Sequence, residues 1–343
     1  MARNKRKRIE RINKAKKQSK RQKLSHLKGL LKDLKAQIGT LKDAKTKYMI
    51  MWNKAEEEKN KIKNSKNLLA SSQLKSLAVS SSHMANEVLE LEHAMFSPYF
   101  EGESSIGQGR FGVCKLKKFR GTQVAVKEFK DSEVTTAEVL NEAKFLSTLT
   151  HISLPMLFGV ITKESPYCIV TQFYGINGKS VTLHAVLLDN SLCDLSKTNI
   201  YGFLYQLTDA ICYLHAKKVI HNDIKTDNIV VVQESGPIEE YAPVLIDFGK
   251  AKRATETKVK RLSEREKAFY RKYHSHIAPE VIDGTHRPSV KSDVFSLGVV
   301  MRKLSCVVEE KLEEICSCCL ANIKERYNSL MVKQLIQNFA QSR

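Results

Sequence analysis

The sequence predicts an α+β domain of two unequal lobes, a small strand-rich one followed by a larger helical one, behind a basic helical arm. Three observations predict it. Basic residues crowd the first fifth of the 343-residue chain. From about residue 100, short β-branched runs alternate with glycine turns. After about residue 190, helical periods take over, and strands first with helices later is the pattern of an α+β domain.

The arm comes first. Residues 1–66 hold 23 Lys and Arg against 6 Asp and Glu, whereas the other 277 residues hold 34 against 31. Residues 1–23 are too polar and self-repelling to fold alone and read as a basic tail. From Leu24 an apolar seam recurs at alternating steps of three and four: Leu24, Leu31, Ile38, then Lys45 and Trp52, beside Leu27, Leu34, Leu41, Tyr48 and Ala55. This heptad pattern predicts a coiled-coil helix over 24–66 and self-association through it. Gly29, Gly39 and Lys45 weaken the seam, and docking of its stripe on the chain's own globular domain is the alternative. Residues 67–99 read as a serine-marked linker with a short amphipathic helix from about His83 to Met95, closed by Pro98. The folded domain is expected over 100–343.

Composition narrows the setting. At 42% hydrophobic and 27% charged the chain has material for a sizeable core. No apolar run approaches the ~18–20 residues that cross a bilayer. The charged N-terminus lacks a following apolar segment, so no secretory signal is expected. The eight cysteines form no framework, and Cys316, Cys318 and Cys319 read as thiols on a buried helix face rather than a zinc site. A reducing compartment, cytoplasm and/or nucleus, is expected.

Within the domain the first chemical signal is Ile106-Gly107-Gln108-Gly109-Arg110-Phe111-Gly112-Val113. A dinucleotide-binding turn would need a helix directly after the glycines. Here Val113 to Leu116 continues as a strand, turns near Gly121 and returns as Gln123-Val124-Ala125-Val126-Lys127. A glycine loop between antiparallel strands is a flap whose bare backbone can lie against phosphates. Fifteen residues after Lys127, Glu142 lies in the helical run Val139 to Leu146; an ion pair between them would hold the lysine towards α- and β-phosphates.

The decisive cluster is Val219-Ile220-His221-Asn222-Asp223-Ile224-Lys225-Thr226-Asp227-Asn228-Ile229, followed by Ile246-Asp247-Phe248-Gly249. With Ala278-Pro279-Glu280 and Ser292-Asp293-Val294-Phe295-Ser296-Leu297-Gly298 in the same order, about 240 residues resemble the eukaryotic protein kinase family, serine/threonine type. The resemblance implies ATP and Mg2+ as cofactors and a protein substrate bearing Ser or Thr. It makes Asp223 the group that takes the substrate hydroxyl proton, Lys225 a contact to the γ-phosphate, and Asn228 and Asp247 the magnesium ligands. Lys127 and Glu142 become the phosphate-holding pair. Thr171-Gln172-Phe173-Tyr174 looks like the hinge that receives adenine, with Gln172 and Tyr174 beside the base and Thr171 behind it. Asp293 resembles the aspartate that braces the catalytic loop, and Glu280 with Arg326 an ion pair tying the activation segment to the C-terminal helices. Positioning and charge neutralisation are what phosphoryl transfer requires of a protein.

Three departures stand out. His-Asn-Asp replaces the usual His-Arg-Asp, so dependence on loop phosphorylation is expected to be weak. Tyr273-His274-Ser275-His276-Ile277 replaces the usual Gly-Thr-x-x-Tyr before Ala278. Only 33 residues separate Asp293 from Arg326, which implies a shortened lower lobe. These features sustain a rival reading, a scaffold that binds ATP with little transfer; small-molecule phosphorylation is disfavoured by Ala278-Pro279-Glu280. The basic tail 1–23 would suit nucleic acid or an anionic surface, and Asn4 to Arg8 nuclear import, although no aromatic precedes Tyr48 for base stacking.

Overall fold

The computed structural model describes residues 88–98, 105–109, 112–130, 134–195, 200–234, 240–306 and 312–341. The tail, the heptad helix, most of the serine-marked linker and two flap positions, Arg110 and Phe111, lie outside these.

Six strands of the upper lobe form one antiparallel sheet. They are β1 (Phe96–Pro98), β2 (Ser105–Gly109), β3 (Gly112–Phe119), β4 (Thr122–Phe129), β5 (Leu157–Ile161) and β6 (Cys168–Gln172). Their order is β1-β3-β4-β6-β5, with β2 also on β3. Arg120 and Gly121 turn the β3–β4 hairpin with φ of 49° and 80°, the doubly left-handed turn that suits strand twist. Strand alternation then sorts the faces. Val124, Val126, Cys168 and Val170 enter a small core with Leu91, Phe119 and Ile161. Lys127 and Ile169 point the other way, towards helix α1 (Thr136–Thr148). That helix starts in a capping box, Thr135 with Glu138, and buries Val139, Glu142, Ala143 and Leu146.

The expected amphipathic helix before Pro98 is not what the described part forms. Glu90 bridges Val160, Leu91 N–H donates to the Val160 carbonyl at 2.7 Å, and only the short turn His93–Met95 precedes β1. Sheet edges supply these residues with backbone partners, and packing of Leu91 on the small core overrides their helical spacing. Gly159 permits the approach, since a Cβ there would sit 2.5 Å from the Leu89 carbonyl oxygen.

The lower lobe is mainly helical. It comprises β7 (Val181–Thr182), α2 (Leu183–Leu188), α3 (Ile200–Ala216), β8 (Val219–Ile220), β9 (Ile229–Glu234), β10 (Glu240–Leu245), β11 (Lys252–Arg253), α4 (Glu264–Tyr273), α5 (Pro279–Ile282), α6 (Val290–Leu304), α7 (Glu313–Leu320) and α8 (Ser329–Gln341). The central α3 buries Phe203, Leu204, Leu207, Ile211 and Leu214, and α8 lies along it through the stacked rings of Tyr201 and Phe339. Strands β10, β9 and β7 form one small sheet, and β11 pairs with β8. No helix intervenes between α6 and α7 among the described residues, in line with the short spacing from Asp293 to Arg326. Cys316 and Cys319 are buried on α7; a Cβ on Gly298 would come 2.5 Å from that of Cys319, so α6 and α7 pack backbone to backbone.

Candidate active site

The β4 pleat and the α1 register bring Lys127 and Glu142 together. Lys127 Nζ donates to both Glu142 oxygens, at 2.9 and 3.0 Å, and to Asp247 Oδ1 at 3.0 Å. Burial works against the lysine charge, but the two carboxylates outweigh it and hold the ammonium well above the ordinary lysine value. Asp247 follows β10 with φ at 66°, a left-handed conformation that aspartate tolerates better than most residues. Burial alone would raise its carboxyl; the Lys127 ammonium outweighs it and lowers it. Gly249 leaves room for this junction, as a Cβ there would stand 3.3 Å from Glu142 Oε2 and 3.4 Å from Asp247 Oδ1.

The loop between β8 and β9 carries the second cluster. Asp293, on α6 and buried, accepts from the backbone N–H groups of His221 and Asn222, both at 2.9 Å, and lies 3.0 Å from His215 Nε2. These bonds hold the loop while Asn222 takes φ of 63°. The His221 ring is buried edge-on against Phe248, centroids 4.8 Å apart, and burial pushes its pKa down. Asn228 Nδ2 donates to the Asp223 carbonyl at 2.9 Å and to its Oδ2 at 3.1 Å. Lys225 Nζ stands 3.7 Å from Oδ2.

Two further groups meet Asp223 that the sequence did not single out for this role. Lys250 Nζ donates to Oδ1 at 2.9 Å, and His276 Nε2 lies 3.2 Å from the same oxygen. Burial would raise this carboxyl, but His276, Lys250 and Lys225 prevail and hold it well below the usual carboxylate range. The signals available were a lysine directly after Asp247-Phe248-Gly249 and a histidine inside the irregular segment before Ala278. That segment departs from the family pattern, but nothing in its residues points to Asp223.

The glycine flap divides into two kinds of position. A Cβ on Gly112 would fall 2.0 Å from the Glu128 carbonyl oxygen, so this glycine is required by the β3–β4 hairpin itself. Among the described residues, a Cβ on Gly109 would meet nothing within 4 Å, and one on Gly107 only Cys114 Cβ at 3.9 Å. Neither has the positive φ that favours glycine, so the protein's own packing does not demand them. Bare backbone there suits a bulky anion lying against the flap. Ile106 is half-buried, and Gln108 and Val113 pair across the β2–β3 turn. At the expected hinge the strand ladder ends with Gln172 opposite Val124. Tyr174 turns its hydroxyl inward, accepting from Met156 N–H at 3.2 Å, and burial pushes its pKa up to about 12.

The donor set fits magnesium, which takes hard oxygen ligands. With its amide nitrogen committed to Asp223, Asn228 keeps its carbonyl oxygen for a cation, and Asp247 has a second carboxylate oxygen beyond the one shared with Lys127.

A strand-rich lobe over a helical lobe, with this lysine, carboxylate and amide constellation at their junction, defines a nucleotide-handling phosphotransferase architecture. Residues 100–329 match the family model described as protein kinase domain, and the chain belongs to that family. It is 30% identical over 210 residues to a leaf rust 10 disease-resistance locus receptor-like protein kinase of Arabidopsis thaliana, covering 58% of this chain and 30% of that protein. It is also 30% identical over 202 residues to the tyrosine protein-kinase src-1 of Caenorhabditis elegans, covering 58% of this chain and 35% of that protein. The chain spans between 11% and 36% of the length of the curated relatives it matches. Among the described residues no helix is long and apolar enough to cross a membrane.

Proposed function

We propose that the chain transfers the γ-phosphoryl group of ATP to serine or threonine hydroxyls of protein substrates. The observation that carries this reading is the 3.0 Å contact of Lys127 with Asp247, which joins the upper-lobe ion pair to the lower-lobe carboxylate in one cleft. In this reading Lys127, aligned by Glu142, holds the inner phosphates under the backbone of Gly107 and Gly109. Asn228 and Asp247 hold magnesium, which when bound neutralises charge on the phosphate oxygens. Asp223, kept ionised by its cationic neighbours, orients the acceptor hydroxyl and takes its proton, while Lys225 faces the transferring group. The hinge at Gln172 and Tyr174 receives adenine. A serine/threonine preference rests on Lys225, two residues after Asp223.

The test is phosphate transfer from labelled ATP by the intact chain, with Asp223→Asn beside it. Transfer falls by at least a hundredfold in the variant while magnesium-dependent nucleotide binding persists. Equal transfer by both proteins would overturn the assignment of Asp223. One observation favours the scaffold reading: Lys250 and His276 both occupy Asp223 Oδ1. Nucleotide binding with no transfer to any protein, the chain itself included, would establish it. For the arm, anion binding through residues 1–23, self-association through 24–66 and a cytoplasmic or nuclear setting remain proposals from charge and periodicity.

A further inference from the structure

The charge of the folded domain is concentrated in one place. Residues 250–276 carry ten Lys and Arg against three Asp and Glu, whereas 67–343 as a whole carry 34 against 31. Outside this segment the domain is therefore net acidic. The three acids inside it are all engaged locally. Glu256 accepts from Arg253 N–H at 3.3 Å, Glu264 pairs with Lys267 at 2.6 Å, and Glu266 closes the capping box of α4 with Ser263. Lys258, Arg261 and Arg265 are exposed and make no ion pair among the described residues.

The same segment carries an exposed aromatic cluster connected to the candidate base. His276, 3.2 Å from Asp223, packs edge-on against His274 with centroids 5.9 Å apart. His274 in turn meets Tyr270 at 5.1 Å and Phe269 at 5.7 Å, and Phe269 meets Tyr273 at 4.9 Å. Phe269 and Tyr273 end this ladder of rings at 51% and 60% exposure, far above the ordinary fate of large aromatic side chains. Lys260 and Lys272 lie over the rings of Tyr270 and Tyr273. A face of rings, with Lys260 and Lys272 over two of them, thus leads outward from the carboxylate to which an acceptor hydroxyl must be delivered, and Lys258, Arg261 and Arg265 are exposed in the same segment.

We propose that this face docks the acceptor, and that the acceptor is a protein segment rich in Asp and Glu around its serine or threonine. The charge complementarity selects the sequence; the exposed rings supply contact area. This deepens the transferase reading and rests on it. A solvated surface offers each ion pair little, but three together with Lys258, Arg261 and Arg265 amount to about tenfold in affinity.

The experiment uses the full chain and three fluorescent peptides identical except for flanks of Glu, Ala or Lys around one serine. Binding is followed by anisotropy, and phosphate transfer is measured separately with ATP and magnesium. The Glu-flanked peptide binds and is phosphorylated about tenfold better than the Ala-flanked one, and this preference fades as salt rises from about 50 to about 500 mM. The combined variant Lys258→Glu, Arg261→Glu, Arg265→Glu reverses the order and favours the Lys-flanked peptide. If that variant fails to fold, the salt series on the unmodified chain still decides. Transfer indifferent to flanking charge, or best with Lys flanks, overturns the docking proposal while leaving the transferase reading intact. Charge-selective binding without transfer to any peptide retains the docking face and overturns the transferase reading. An oligonucleotide that binds tightly while no peptide preference exists assigns the face to nucleic acid and overturns the proposal.

Discussion

At the scale of single residues, the flap glycines illustrate how identical residue types answer to different constraints. Gly112 is bare because the Glu128 carbonyl lies against it, and Gly109 is bare although no described residue would meet a Cβ there. Gly112→Ala therefore overpacks the hairpin and costs about 1–3 kcal/mol, read as a melting temperature lower by several degrees. Gly109→Ala leaves stability within about 0.5 kcal/mol and shows itself as a several-fold higher KM for ATP. An unchanged KM would remove the phosphate-facing role of the flap. Asn222 and Asp247 make a related point: both take left-handed φ beside the candidate base and metal site, where short polar side chains bear that conformation at low cost.

At the scale of elements, the join between α5 and the α6–α8 helices depends on one buried pair. Arg326, 1% exposed, donates to Glu280 through Nη1 at 2.5 Å and Nη2 at 3.1 Å, and to the Lys291 and Ala321 carbonyls. Its guanidinium also lies over the Phe295 ring at 5.0 Å. Removing one partner strands the other charge in the interior. Arg326→Leu should cost about 3–5 kcal/mol in chemical denaturation, and the double variant Arg326→Leu, Glu280→Leu should recover part of that. A single variant costing under about 1 kcal/mol would show that the lower lobe closes without the pair. Because α5 follows the segment bearing His276, the same variant should also weaken transfer by loosening the approach to Asp223.

At the scale of the whole molecule, stability should follow pH in two stages. His221 has its pKa lowered by burial, so the unfolded chain binds its proton first as pH falls below about 6.5, and the folded state loses stability from there downward. Asp209 on α3, which accepts from Lys333 Nζ at 2.6 Å and lies 3.2 Å from His151 Nε2, is shifted down by these neighbours, as Asp223 and Asp247 are by theirs, burial notwithstanding. Their contribution is complete above the ordinary carboxylate range and is lost as pH falls below about 4. Melting temperatures taken from pH 8 to pH 3 should therefore be level above about 7, sag below 6.5 and drop steeply under 4. In His221→Phe the sag shrinks to the share of His274, whose pKa burial also lowers, and the steep drop remains. A sag of equal size in that variant would place its origin elsewhere.

Much of this was legible in the residues alone. Period-two alternation with glycine turns marked the sheet, helical periods marked the lower lobe, and the ordered motifs from Gly107 to Asp293 marked the family, because each is a local pattern written over a few adjacent positions. The attachment of residues 88–98 to the sheet was not legible: its apolar spacing suited a helix, and only the free edges of β3 and β5 made extended pairing better. Nor was the set of side chains around Asp223. Lys250 and His276 lie 27 and 53 positions away in the chain. Chain chemistry on its own determined which side chains were available for phosphate and metal. Tertiary packing alone decided which charges face one another, because Coulomb energy depends on separation in space and local sequence does not encode it.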